Sequence, residues 1–239
     1  MMNILLTVCM IVGLGTILRN QAEPQTYKSV SIVQSKADGS PLLISGTVTA
    51  IESESPVRRS LIKRNVLLTN ASSKGILLTV VQLSVSGLSL VNVNATLEND
   101  YFFSAEVFSP SSTQNYEQPF GPVTKTGTSA KAEEATQPRA LASVKFVQFA
   151  DGSTWGIPLA GKHALDERQL LWQELRVLAD TYQTKGANEF VAKLRQPSSL
   201  AVITNMQHLY AETHNPVIVS DKVSAMLRQA SEHMRGMRR

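Results

Sequence analysis

The chain has 239 residues, enough for one large domain or two small ones, and 43% of them are hydrophobic against 18% charged, which excludes disorder along its whole length. Thirteen Gly and ten Pro exclude a fibrous class. The net charge of +4 is spread thinly, so composition predicts no nucleic-acid partner, and the one dense basic tip, Arg235-Gly-Met-Arg238-Arg239, reads as a solvated chain end.

The first element is an apolar run, ILLTVCMIVGLGTIL (4–18), fifteen residues without a charge. That is the length of an export-signal core and short of the ~20 residues that span a bilayer. Residues 1–22 are therefore expected to be a signal peptide, with an N-terminal anchor as the alternative because Arg19 follows the run directly. The expected location is outside the cytoplasm: periplasmic, secreted or membrane-anchored. Cys9, the single cysteine, lies inside this run, so cleavage leaves no thiol for disulfides, nucleophilic catalysis or metal binding.

From residue 27 to about 109 the pattern is β. YKSVSIVQ (27–34) alternates, and Ala-Asp-Gly-Ser (37–40) signals a turn. LLISGTVTAI (42–51) sets Leu42, Ile44, Val48 and Ala50 on one face and Ser45, Thr47 and Thr49 on the other, the period of a half-buried strand. NVLLTN (65–70), ILLTVVQLSV (76–85), LSLVNVNATL (88–97) and YFFSAEVF (101–108) follow as further expected strands. Turn residues every 8–12 positions predict a sandwich or barrel. Residues 110–138, rich in Ser, Thr, Gly, Pro and Gln, read as a flexible surface insertion between two strands.

The β pattern returns at LASVKFVQFA (141–150), with Val144, Phe146 and Gln148 expected on one side and Lys145, Val147 and Phe149 on the other. Asp151-Gly152 is a strong hairpin signal. Thr154-Trp155 then begins a return strand, and Gly156 and Pro158 let the chain leave the sheet. Trp155 is expected to anchor in the core or cover a sheet edge. The sharper alternative is an aromatic platform for a carbohydrate or peptide, with Asp151 as acceptor, and these two are the candidate ligand-binding residues.

Residues 159–239 read as helical. Asp166 is expected as an N-cap with Gln169 three residues on, followed by the stripe Leu171, Leu175, Leu178 and Tyr182. Lys185-Gly186 ends that helix, 187–195 forms a short second one, and Ser198 or Ser199 caps a third with the stripe Leu200, Ile203, Met206 and Tyr210. Asn215-Pro216 breaks the chain, and Ser220 is expected to cap a last helix carrying Val223, Met226, Leu227, Ala230 and Met234.

Two segments carry a resemblance. NVLLTNASSKGILLTVVQLSV (65–85) contains Val66, Asn70, Ser72 or Ser73, Lys74 and Ile76 in a strand–turn–strand arrangement, and VKFVQFADGSTWG (144–156) is the second. Together they resemble segments of uncharacterised exported bacterial proteins with an immunoglobulin-like β-sandwich. The resemblance covers roughly 35 residues and implies a sandwich over about 26–158 with a helical segment after it, mainly β and α+β taken as a whole. It supplies no catalytic residues.

Chemistry-bearing patterns are sparse. His208 and His214 are six apart, where helical metal ligation favours three or four, so no metal and no cofactor are expected. No Gly-x-Ser-x-Gly elbow occurs. The expected role is non-catalytic: a binding or structural module of the cell envelope with a protein or carbohydrate partner, and with peripheral or N-terminal membrane association left open. Two alternatives stand beside it. One is an envelope hydrolase whose site between sandwich and helices uses Asp151, His163 or Asp166, which requires those groups to converge. The other is a helical tail that docks a protein, supported if the Leu171/Leu175/Leu178 stripe is exposed.

Overall fold

The computed structural model describes residues 25–36, 39–53, 60–88, 93–122 and 137–238. The apolar run at 4–18 lies outside them. No described helix is long and apolar enough to cross a membrane.

The described strands are β1 (Gln25–Gln34), β2 (Leu42–Ser53), β3 (Ser60–Asn70), β4 (Ile76–Ser86), β5 (Val93–Asp100), β6 (Thr113–Pro122), β7 (Arg139–Phe149) and β8 (Thr154–Gly156). They form one curled mixed sheet in the order β5-β4-β7-β1-β2-β3-β6, with β8 attached to β7. Every pairing is antiparallel except β1 with β7. β1 is the seam of the curl: Gln25–Ser31 pairs with β2, and Ile32–Gln34 runs parallel to Ala140–Ala142 of β7. The two halves that it joins, β1-β2-β3-β6 and β5-β4-β7, enclose a shared interior. Leu42, Ile44, Val48, Ala50, Val66 and Leu68 meet Ile76, Val81, Leu83, Val85, Ala142 and Val144 there. The period-two reading of β2 therefore holds side chain by side chain.

Four helices follow: α1 (Pro158–Lys185), α2 (Ala187–Leu194), α3 (Ala201–Thr213) and α4 (Pro216–Gly236). The second half of α1 packs with the other three around Leu175, Leu178, Phe190, Ile203, Met206 and Val223. The Leu171/Leu175/Leu178 stripe is buried at 8%, 0% and 2% exposure, so it is spent inside the protein and is not offered to a partner.

The first half of α1 does something else. It lies on the outer face of the sheet, where Ala164 joins Leu78, Val80 and Phe146 in a separate apolar cluster. The strands beneath are thus buried on both faces, and this explains why ILLTVV (76–81) is a continuous buried run. It also corrects the expected facing of β7. The β4–β7 register shifts between Val80 and Val81, which oppose Phe146 and Val144. The extra residue of such a bulge reverses the alternation. Val144, Val147 and Phe149 all point inward, while Phe146 points outward to α1. Gly161 lets the helix come this close, because a Cβ there would lie 2.4 Å from Phe146 Cδ1.

Three further expectations are corrected. Tyr101–Val107 is not a strand: Asp100 accepts from the Phe102 N–H at 2.9 Å, Ser104 N donates to Tyr101 O, and the chain only returns to the sheet where Phe108 bridges Ile76. The stretch 110–138 contains β6, which pairs with β3 along Thr113–Pro122, and the rest of that expected loop between 123 and 136 lies outside the described residues. The helix starts also move. α1 begins at Pro158 after Ile157, with Asp166 two turns inside it and paired to Lys162. α4 begins at Pro216, where Asn215 accepts from the Val217 N–H, and Ser220 is buried within the helix.

Candidate functional site

The β7–β8 hairpin holds both residues that the sequence singles out, Asp151 in its turn and Trp155 on β8. Asp151 Oδ1 accepts from the Ser153 backbone N–H at 2.9 Å and from its hydroxyl, while Oδ2 pairs with Lys74 Nζ at 2.6 Å. Lys74 also donates to Ser153 Oγ at 3.1 Å. These partners, Lys74 first, hold the exposed Asp151 carboxyl well below the usual carboxylate range. Lys74 itself sits on a loop organised by Asn70, which is fully buried. The Asn70 amide nitrogen donates to Lys74 O at 2.8 Å and Phe108 O at 2.9 Å, and its oxygen accepts from the backbone N–H and the hydroxyl of Ser72. Segments 65–85 and 144–156 therefore meet, and their polar residues tie one turn to the other. Trp155 pairs across from Val147 and packs, half-buried, against the interior cluster. Trp155 is thus seated on the core, and Asp151 is engaged in a cross-link.

The groups named for hydrolysis are each engaged with a different partner. Asp151 is bound to Lys74, Asp166 to Lys162, and His163 Nδ1 lies 3.2 Å from Glu98 Oε2. What converges instead is a set that the sequence did not suggest. One ligand-capable atom from each of Glu98, His163 and Glu167 lies within 4.8 Å of the other two. Strand geometry explains half of it. Val93 and Leu97 of β5 pack on the interior, so the even-numbered Glu98 and Asp100 face outward beneath α1. Helix geometry explains the rest, since His163 and Glu167 are four apart and stack on one side of α1.

Next to this set, Arg168 clamps the same helix to the same strand. The residue is 9% exposed; Nε and Nη2 donate to Asp100 at 2.8 and 3.0 Å, and Nη1 donates to Gln148 at 2.6 Å. The guanidinium also lies 4.5 Å from the Phe102 ring centre. Glu98, by hydrogen bond and by charge, together with Glu167 and Asp166, raises the His163 pKa above its ordinary 6.5. The local signals for this site, Glu98-x-Asp100 on a polar strand face and His163-x-x-x-Glu167 on a helix, are each common. Only the packing of α1 over β5 joins them across 65 residues.

A shallow cavity of ≈ 240 Å³ lies between α2 and α3, lined by Leu194, Arg195, Gln207, Tyr210, Ala211 and His214. The Arg195 guanidinium stacks 5.6 Å from the Tyr210 ring, and Gln207 donates to Leu194 O and Gln196 O, so its polar side chains brace the helix junction. The chain matches no protein-family model, no curated protein and no solved structure, so its reading rests on the geometry alone.

Proposed function

We propose that the protein is an exported, non-catalytic binding or structural module of the bacterial cell envelope, built on an immunoglobulin-like β-sandwich. Support for the finer fold comes from the pairing order. β3 with β6 in one half and β4 with β7 in the other correspond to the B–E and C–F pairs of that Greek key, with β2 in the place of A, β5 in that of C′ and β8 as a short G. β1 is an addition that takes up the edge of β7 left uncovered by so short a β8.

The observation that carries the functional reading is how the charged side chains are used. Lys74–Asp151, Lys162–Asp166 and Arg168–Asp100 each join one segment to another or brace a helix. Among the described residues the outer strands β5 and β6 each have a single strand neighbour, so their far edges offer backbone donors and acceptors to an extended segment of a protein partner. Such recognition requires pairing and shape, not a reactive group. The test is affinity capture from bacterial envelope extracts with the protein as bait at micromolar concentration, alongside a variant carrying Asn94→Lys and Thr96→Lys on β5. Recovery of a specific partner that the variant loses supports the reading. Recovery of nothing, or turnover of an envelope polymer by the purified protein, overturns it. N-terminal sequencing of the mature protein tests export.

A further inference from the structure

We infer that Glu98, His163 and Glu167 form a binding site for one divalent transition-metal ion of the zinc class, and that the ion fastens the N-terminal half of α1 to the edge strand β5. Donors that share one such ion at about 2.0–2.1 Å stand roughly 3.0–3.4 Å apart. His163 Nδ1 and Glu98 Oε2 already stand at 3.2 Å, and the third donor falls within 4.8 Å of both. His163 and Glu167 are exposed, so their side chains have room to rotate toward a shared ion. Glu98, with its side chain 25% exposed, is the fixed point.

The ligand types narrow the ion. An imidazole among the donors distinguishes this set from an acidic patch, and one nitrogen with two carboxylates suits Zn²⁺, Co²⁺ or Ni²⁺ better than Mg²⁺ or Ca²⁺, which prefer oxygen alone. Two ligands four apart on a helix and a third from a separate element is a recurrent way to build such a site. Three protein ligands leave one position for water.

No lysine or arginine among the described residues is paired with the two carboxylates of the set. The neighbouring cations are taken: Lys162 by Asp166, and Arg168 by Asp100 and Gln148. Among the described residues Glu167 makes no hydrogen bond and Glu98 pairs with His163 alone. A divalent cation would neutralise both carboxylates at once. The Arg168 clamp holds strand and helix in register two residues further along, so the site is organised before an ion arrives.

The experiment titrates the chelator-treated full chain with ZnCl₂ by calorimetry and with CoCl₂ by visible absorption, and records Tm with and without Zn²⁺. The variants are His163→Ala and Glu167→Gln, both at exposed positions, and the control replaces His208, His214 and His233 by Ala. The expected result is one ion per chain, bound more than tenfold more weakly in either site variant and unchanged in the control. Tm should rise by roughly 5–10 °C at a hundredfold excess of Zn²⁺ over Kd in the wild type. Equal affinity and stoichiometry in wild type and both site variants, loss of binding in the control, or no binding below about 1 mM would each overturn the inference.

Discussion

Replacing Gly161 by Ala sets helix propensity against packing. Gly161 is the fourth residue of α1, and on propensity alone Ala gains at most about 1 kcal/mol. The structure gives the opposite sign. An Ala Cβ would lie 2.4, 2.6 and 2.7 Å from Cδ1, Cε1 and Cγ of Phe146, where carbon pairs rest at about 3.5–4.0 Å. The three atoms belong to one ring that is 2% exposed and wedged among Leu78, Val80 and Ala164, so it cannot swing aside. The helix must lift by about 1 Å or the ring must leave its rotamer, and overpacking of this kind costs about 1–3 kcal/mol. With the contact this deep the cost falls at the upper end, and the net loss is about 2 kcal/mol. In urea unfolding, with m about 2–3 kcal/mol/M, the midpoint should fall by roughly 0.7–1 M. Phe146→Leu frees room at the ring's edge, so the double variant should be at least about 1 kcal/mol more stable than the sum of the single effects. A stabilised Gly161→Ala protein, or strict additivity in the cycle, would refute the claim that α1 seats on the sheet through this glycine.

Other perturbations test the polar cross-links. Arg168→Ala should destabilise by about 3 kcal/mol in the same urea assay, because it leaves Asp100 and Gln148 without their shared donor, and Arg168→Lys should rescue little since a lysine cannot reproduce the fork; a loss below about 1 kcal/mol would contradict the burial of this clamp. Asn70→Asp should cost about 2–3 kcal/mol by thermal or urea unfolding, since an acceptor-only carboxylate replaces the amide that donates to two carbonyls, whereas a neutral result would mean that the turn is held by its backbone alone. Lys74→Met should raise the Asp151 titration midpoint, followed by carboxyl-detected NMR, part of the way back to the ordinary aspartate range, the Ser153 bonds remaining. The folded-state pKa is depressed, so the stabilisation by this pair is present above the ordinary aspartate value and is lost as pH falls below it; an unmoved midpoint in the variant would show that Lys74 is not the cause.

Legibility in the sequence follows the range of the interaction concerned. β2 was readable because alternation depends on each residue's immediate neighbours, and Leu42, Ile44, Val48 and Ala50 are indeed buried. Helix faces were readable for the same reason, down to Ile203 and Met206. Helix starts were misplaced at both prolines. Pro158 and Pro216 read in the sequence as an exit and a break, yet a proline at the first helical position loses no hydrogen bond and begins the helix. β6 was missed because its sequence, TQNYEQPFGP, carries almost none of the apolar alternation that marks a strand; its pairing with β3 supplies what its side chains do not. The Glu98–His163–Glu167 set was invisible for a stricter reason. Its parts are 65 residues apart and meet only because a bulge turns Phe146 outward and a glycine lets α1 settle there.

That last dependence says what α1 is for. At 28 residues it is about 42 Å long, too long for the small helical bundle that its second half completes. Its first half has a different occupation, covering Leu78, Val80 and Phe146, residues that would otherwise face water on the outer side of the sheet. α4 reinforces the join at its far end, where Ala230, Met234 and Met237 pack with Leu77, Phe102 and Trp172. The helical segment is therefore a third layer of the β body and not a tail resting on it, for the sheet has an apolar face on both sides and needs a cover for the second. It follows that the polar contacts along α1, Arg168 with Asp100 and His163 with Glu98, lie on the one boundary where sheet and helices must keep register. A divalent ion held by Glu98 and His163 would join both parts at once, which is why its effect is expected in the Tm of the whole chain.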